Sequence, residues 1–490
     1  MNLSKHTLKD LKLFLSSFFI VNVVFLYLTC TFFMGNHDWD WVKGTTQVLS
    51  LNTGLFEGRF SKFILNVALF SGQILPILNV FTSFALICLS SVLLVKYFNI
   101  KDEISKFLIS LTPILSPFVL GWLYFSINII GNFSALVLSI GGLILLEHKS
   151  ITQRLIAILF FILSLGIYPS TIETMFILYA TKNIISSQKK YYPLMYIIVS
   201  AILFKVILFL LTKMGYIYEE HYNIKLNTIP SILTQIPSYI KIFFSQFIYT
   251  VPFFPKSLKL ICLFALVIAF FTTISSKANI FFWVIAFSST LISIILTKVP
   301  EDVAFQPRIN FYGLNFLYTS SFAILLNQKK SLKNLSFVLL LFYLYISITQ
   351  NFYAQKVWEF GKIGELNLVS RITSRIEPQS PPYEQTLILT DTISLRPKYY
   401  NDYYDLKSPY VLNRSYIIRH IPSGIFNFYA PKNLFKINSS IESVSPLMYN
   451  YIVNTNSIWP SLDSLYIDNK YAIIILTKKG LNNIKTQLPK

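Results

Sequence analysis

The sequence predicts a polytopic α-helical membrane protein of about eleven transmembrane helices, followed by a small C-terminal α/β or β-rich domain. Three observations carry that expectation. Hydrophobic residues make up 54% of the 490-residue chain and charged residues only 13%, roughly half the charge of a soluble domain. The apolar residues gather into runs of about 20, the length that crosses a hydrocarbon core of about 30 Å. From about residue 351, charges and prolines return and the apolar runs shorten to strand length.

In order, the spans fall at 11–34, 74–96, 104–122, 127–146, 152–168, 170–187, 193–213, 259–276, 279–297, 311–327 and 334–350. The first run, Leu11 to Met34, is longer than the apolar core of a secretory signal and lacks a small-residue cleavage site, so it reads as a signal anchor. Segment 237–254 is interrupted by Lys241, Pro252 and Pro255 and reads as an interfacial or partly inserted helix. Residues 351–376 carry Val357, Phe360, Ile363, Leu366, Val369, Ile372 and Ile376 at helical spacing. After the break at Pro378, Pro381 and Pro382, the runs 386–390, 416–418 and 471–476 read as strands. The chain thus divides into a membrane domain, 1–350, with a first outer loop at 35–62, and a C-terminal domain, 351–490.

The formal charge of +20 is a topology signal rather than a nucleic-acid footprint. With the N-terminus cytoplasmic, the inner loops hold Lys5, Lys9 and Lys12; Lys96, Lys101 and Lys106; Lys149 and Arg154; Lys182, Lys189 and Lys190; Lys277; and Lys329, Lys330 and Lys333. Short cytoplasmic loops are the ones that collect lysine and arginine. Counting 237–254 as a span would move the last group outside. The 36–62, 213–258 and 298–310 loops and the C-terminal domain then share the outer face, where no nucleotide sugar is available. Cys30, Cys88 and Cys262 lie in apolar runs, with neither disulfide nor metal spacing.

The densest chemistry sits in the first outer loop, at Asn36-His37-Asp38-Trp39-Asp40-Trp41-Val42-Lys43 and Glu57-Gly58-Arg59-Phe60. A carboxylate at a partly dry membrane edge has its pKa raised and can act as a general base. The simpler reading is a helix-terminating loop with Asp38 or Asp40 as a cap. Trp39 and Trp41 could face a sugar ring, but tryptophans at this depth more often anchor the helix at the interface. Arg59 can bind a phosphate through paired hydrogen bonds, and Gly58 lets backbone approach a ligand; a salt-bridged helix start is the alternative. Lys43 is a further phosphate candidate, whereas Lys62 reads as a snorkelling side chain.

Two charges lie inside spans, Glu173 and Lys205. Intramembrane charges mark function by default; these two would pair with each other, or Lys205 would meet a lipid phosphate. Tyr168-Pro169-Ser170 reads as a tight outer turn, and Arg308 is a second cation in the same compartment, with Glu301 and Asp302 as local ion-pair partners. Glu219, Glu220 and His221 have no specific metal spacing. Tyr399, Tyr400, Tyr403 and Tyr404 would stack on sugars or on one another.

This order of features, an acidic first outer loop, a Gly-Arg-aromatic element, many spans and an outer tail, resembles the bacterial membrane glucosyltransferases that include the phage-encoded serotype-converting O-antigen enzymes, with their GT-C-like architecture. The resemblance rests on residues 36–41 and 56–60, with support from Tyr168-Pro169-Ser170 and Arg308, and its topology covers 1–350. It implies a bacterial inner-membrane enzyme with a periplasmic C-terminal domain. The implied donor is undecaprenyl-phosphate glucose, and the acceptor is a hydroxyl of a lipid-linked or surface glycan such as an O-antigen repeat. Asp38 and Asp40 match the family's acids, and Gly58 and Arg59 its Gly-Arg element. The family places adjacent acids three residues before an arginine; here Trp39 separates the acids and Lys43 follows Asp40 at that spacing. Asp40 is therefore the better match, with the choice between the two acids open.

His37, Lys43, Glu57, Arg59, Tyr168, Glu173, Lys205 and Arg308 form the candidate substrate-binding set. No cofactor is expected, because these cations can carry the phosphate charge, although some GT-C relatives use a divalent ion. The implied partners are the surrounding membrane lipid, a cytoplasmic-side donor synthase and a flippase, with no nucleic acid. The rivals are a GT-C enzyme for another sugar or acceptor, a flippase or transporter of lipid-linked sugars, and an O-antigen polymerase. A transporter would line a mid-membrane path with polar residues, and a polymerase would carry its charges in later loops. A topology reporter fused after residue 350 is expected to report the outer face; a cytoplasmic signal would break the shared compartment of Asp38, Asp40, Arg59 and Arg308.

Overall fold

A computed structural model of the chain describes residues 5–31, 58–70, 76–124, 126–217, 237–242, 244, 245, 247, 253–292, 307–376, 385–390, 435–437, 444–468, 471–486 and 488. His37, Asp38, Trp39, Asp40, Trp41, Lys43 and Glu57 lie outside the described residues, as do the clusters at 219–221 and 399–404, Glu301, Asp302 and the expected strand at 416–418.

The fold is mostly helical. Among the described residues, six helices are long and apolar enough to cross a membrane: Ile77–Phe98, Glu103–Leu123, Ile129–Leu146, Tyr192–Lys213, Lys256–Thr273 and Lys330–Ile376. Ile151–Ile167 and Leu314–Leu326 are shorter apolar helices, and Lys5–Val24, Thr171–Ile185 and Lys277–Ser289 occupy three further expected positions. The chain divides into two compact units, with the boundary between Tyr353 and Ala354.

The first unit is a helical bundle. Its Lys-bearing loops meet at one end. Lys9 and Lys106 both bind Glu103 at 3.1 Å, and Lys333 lies 3.7 Å from Asp102. Asp102 caps its helix by accepting from the Ser105 amide, and the Ser105 hydroxyl and amide hold its carboxyl below the usual range. Nearby, Lys190 binds Glu147 at 2.7 Å, Lys182 donates to the Tyr97 carbonyl and Lys189 to Asn279. Tyr168 caps the far end of helix Ile151–Ile167 from the Lys149 loop.

Three elements differ from the sequence expectation. The span expected at 104–122 is broken. Helix Glu103–Leu115 stops at Ser116, which turns to φ −58°, ψ 135°, and Pro117 opens a short 3₁₀ turn before a last helical turn at Leu120–Leu123. Proline has no N–H to return to the carbonyl of Pro113. Three side chains replace the missing donors. Tyr343 Oη donates to the Thr112 carbonyl (3.4 Å), Asn315 Nδ2 to Pro113 (3.3 Å) and Asn351 Nδ2 to Leu115 (2.7 Å). All three are buried. Irregular backbone at membrane depth survives only where protein or water satisfies it.

Secondly, a short helix, Phe60–Phe70, begins inside the expected outer loop. Thirdly, the last span and the amphipathic helix after it are one 47-residue helix, Lys330–Ile376, about 70 Å long at 1.5 Å per residue.

The second unit holds a four-stranded sheet, β1 Gln385–Thr390, β2 Phe435–Ile437, β3 Leu465–Ile467 and β4 Tyr471–Ile475, in the order β2-β1-β4-β3. β1 runs parallel to β2 and β4, and β3 is antiparallel to β4. β4 is buried along its whole length. Its core joins Ile388, Ile473 and Ile475 to Met448 and Ile452 of helix Pro446–Asn454 and Leu481 and Ile484 of helix Lys478–Lys485. Arg375 lies 4.3 Å over the Trp459 ring and donates to the Pro460 carbonyl, fastening the end of the long helix within this unit.

Asn351→Leu strips the Leu115 carbonyl of its donor and is expected to lower stability by about 1–3 kcal/mol, read as a lower melting temperature in detergent. Leu341→Ala, on the exposed side of the same helix, serves as the control and is expected to change it little; equal melting of the two variants would refute the capping role.

Candidate functional site

The site forms at the end of the bundle where helix Ile151–Ile167 gives way to Thr171–Ile185. The turn is held by hydroxyls. Ser139, Ser164 and Thr171 lie in a buried chain at 2.7 and 3.0 Å, and Thr171 Oγ1 donates onward to the Tyr168 carbonyl at 2.9 Å. Tyr168 is therefore held by its own backbone before any ligand arrives. Its ring stacks on Tyr312 (centroids 5.4 Å apart) and meets Trp122 edge-on at 4.8 Å; Trp122 and Tyr312 are 6.0 Å apart. Tyr312 is fixed in turn, because Thr174 Oγ1 donates to its carbonyl at 2.8 Å and its hydroxyl donates to the Asn132 carbonyl at 3.2 Å.

Arg59 joins this cluster through two glycines. Gly58 takes φ +71°, a backbone state that favours glycine, and delivers Arg59 to the start of helix Phe60–Phe70. That helix packs so closely on Gly166 that a Cβ there would lie 2.7 Å from Phe60 Cζ and collide with Ser61 Oγ. The contact sets the guanidinium 5.2 Å from the Tyr168 ring centroid. Lys62 follows one turn later. It is 4% exposed, its stem 3.7 Å from where a Cβ on Gly131 would stand. The snorkelling expectation is thus corrected: close packing against helix Ser126–Leu146 draws this lysine inward. Two cations at a helix start, where the backbone dipole adds positive charge, favour an anion.

Glu173 lies in the first turn of helix Thr171–Ile185 and is 1% exposed. Its Oε2 sits where a side chain on residue 313 would begin, 2.9 Å from an ideal Cβ on Gly313. Glu173 therefore belongs to the Tyr312 side of the cluster. Arg308 is half-buried on Pro307–Asn310, which packs against Pro117–Val119 and Leu120–Leu123, the turns that carry Trp122. Lys205 is exposed on helix Tyr192–Lys213 and makes no ion pair with Glu173 among the described residues. The structure thus brings Arg59, Tyr168 and Glu173 together with Arg308 nearby, and leaves Lys205 on an outer surface.

Trp122, Tyr312 and Asn132 were not legible as site residues, because each sits in or beside an apolar run. The available signals were Pro117 ahead of Trp122 and Gly313 after Tyr312. Among the described residues, no three His, Cys, Asp or Glu side chains gather as a metal site.

A family model described as glucosyl transferase GtrII matches residues 44–319, more than half of the chain. The chain belongs to the GtrII glucosyl transferase family. No curated protein and no solved structure matches it. The GtrII match begins after Asp38, Asp40 and Lys43 and contains every member of the Arg59, Trp122, Tyr168, Glu173 and Tyr312 cluster. The assignment makes the chain a glycosyltransferase built on apolar, membrane-length helices. Gly313→Ala would press a methyl group against Glu173 and within 3.3 Å of Thr290 Cα. It is expected to destabilise the protein by about 1–3 kcal/mol, seen as a lower melting temperature; an unchanged melt would mean that Glu173 is not held against Gly313.

Proposed function

We propose that this GtrII-family chain transfers glucose from a polyprenyl-phosphate carrier, undecaprenyl phosphate in a bacterial inner membrane, to a hydroxyl of a lipid-linked or surface glycan on the outer face. The observation that carries the proposal is the seating of Arg59 on Tyr168, at the far end of helix Ile151–Ile167 from the lysine-rich loops. With eleven spans and a cytoplasmic N-terminus, that end faces outward, where donors come attached to lipid. The C-terminal domain lies on the same side. A cytoplasmic synthase loads the carrier and a flippase turns it over.

The reaction is a single displacement. A carboxylate of the first outer loop, Asp40 or Asp38, takes the proton of the acceptor hydroxyl. The acceptor oxygen forms a bond to the anomeric carbon as the bond from that carbon to the phosphate oxygen breaks. The electron pair leaves with the polyprenyl phosphate, whose charge Arg59, Lys43 and Arg308 stabilise. Inversion follows from one displacement. The cations carry the charge in this scheme, which calls on no metal or other cofactor.

A transporter of lipid-linked sugars would use the broken span as its cargo site, offering unwound carbonyls at membrane depth. Here Tyr343, Asn315 and Asn351 occupy those carbonyls, which favours transfer chemistry at the bundle end.

The test uses membranes containing the wild-type chain, Asp38→Asn, Asp40→Asn or the double variant, given radiolabelled polyprenyl-phosphate glucose and a lipid-linked glycan acceptor. At least one single substitution is expected to cut transfer by about 10²-fold or more at unchanged protein level. Full activity of the double variant would remove Asp38 and Asp40 from the mechanism.

A further inference from the structure

Two side-chain N–H groups that border the stacked tyrosines have no acceptor among the described residues, and the Ser61 hydroxyl, two residues after Arg59, is likewise unpartnered. Trp122 Nε1 and Asn132 Nδ2 are buried, each residue being 3% exposed, and neither has an acceptor among the described residues. A buried indole N–H or amide ordinarily finds a partner, because an unmade hydrogen bond at such a site is costly. Most other polar side chains in this bundle obey that rule by bonding to carbonyls of their own or a neighbouring helix.

These two donors are contiguous with the aromatic cluster. The Trp122 ring abuts both Tyr168 and Tyr312, and the Tyr312 hydroxyl reaches the backbone of Asn132. The Arg59 guanidinium lies 5.2 Å from the Tyr168 ring centroid. The cluster therefore combines packed aromatic rings, two buried neutral donors and a cation on Tyr168.

We propose that Trp122 and Asn132 are the residues that recognise the pyranose ring of the donor lipid, with Tyr168 and Tyr312 as its apolar wall. A phosphate held by Arg59 places the first sugar, one bond from that phosphate, against Tyr168 and Trp122. The hydroxyl oxygens of a pyranose accept hydrogen bonds, and its C–H faces pack on aromatic rings. A neutral donor pair suits an uncharged hexose. Trp122 and Asn132 act as specificity-determining residues; the chemical step remains with the groups named above. The inference rests on the glucosyl-transfer reading and deepens it.

The experiment uses the full chain in lipid nanodiscs and measures equilibrium binding of radiolabelled polyprenyl-phosphate glucose and of bare polyprenyl phosphate. Trp122→Phe keeps the ring and removes only the N–H; Asn132→Leu removes the amide at similar volume. Each is expected to weaken binding of the glucosylated lipid by about tenfold, the value of one buried hydrogen bond, while binding of the bare phosphate changes less than twofold. A second arm uses the wild-type chain with donors lacking single hydroxyls. At least one is expected to bind about tenfold more weakly, and Trp122→Phe or Asn132→Leu is expected to bind that donor and the parent equally. Unchanged affinity for the glucosylated lipid in both variants would mean that these donors hold only water. Equal loss for both lipids, or full wild-type affinity for every deoxy donor, would also overturn the proposal. A wild-type chain that binds neither lipid would overturn the glucosyl-transfer reading itself.

Discussion

The capped break in the Glu103–Leu123 span is the constraint on which the rest of the bundle depends. Ser116 and Pro117 end the helix inside an apolar stretch, and in hydrocarbon each unpaired backbone group would cost several kcal/mol. Each replacement hydrogen bond contributes only about 1 kcal/mol net, so the caps act mainly by removing a penalty. Asn315 supplies one cap from helix Leu314–Leu326; Tyr343 and Asn351 supply the others from the long helix. The same contacts that make the break tolerable thereby lock three helices together. They also free Leu120–Leu123 to set Trp122 against Tyr168 and Tyr312.

From that cluster, charge is organised outward. Arg59 rests on Tyr168, an interaction of about 0.5–2 kcal/mol, enough to orient a guanidinium but weaker than its paired hydrogen bonds to a phosphate. Glu173 stands on the Tyr312 side, sealed against Gly313, so the carboxylate and the guanidinium approach the stacked tyrosines from different elements.

Hydropathy made most of the bundle legible. The spans expected at 127–146 and 193–213 correspond to helices Ser126–Leu146 and Tyr192–Lys213, because a run of apolar residues fixes length and depth almost by itself. Helix Phe60–Phe70 was missed because its 11 residues are too few to span. Hydrophobicity drops at 350 and masks the continuity of the long helix, although helical periodicity continues through Ile376. Azimuth was the larger blind spot. Lys205 lies in a helix apolar on all sides, so nothing in its neighbours tells that it faces outward, and the apolar residues around Lys62 hide its burial for the same reason. Arg59 and Tyr168 were legible because glycine and proline punctuate their surroundings. Trp122, Asn132 and Tyr312 acquire meaning only from the break and turns that gather them.

The central claim is that the Arg59–Tyr168–Trp122 cluster seats a lipid-linked sugar phosphate. A cryo-electron microscopy structure of the full chain with a non-transferable polyprenyl-phosphate glucose analogue tests it most directly. The account predicts the phosphate within hydrogen-bond distance of Arg59 and the sugar beside Tyr168 and Trp122. A phosphate bound elsewhere, with the Arg59 side chain still lying on Tyr168 and no ligand near it, would contradict the account.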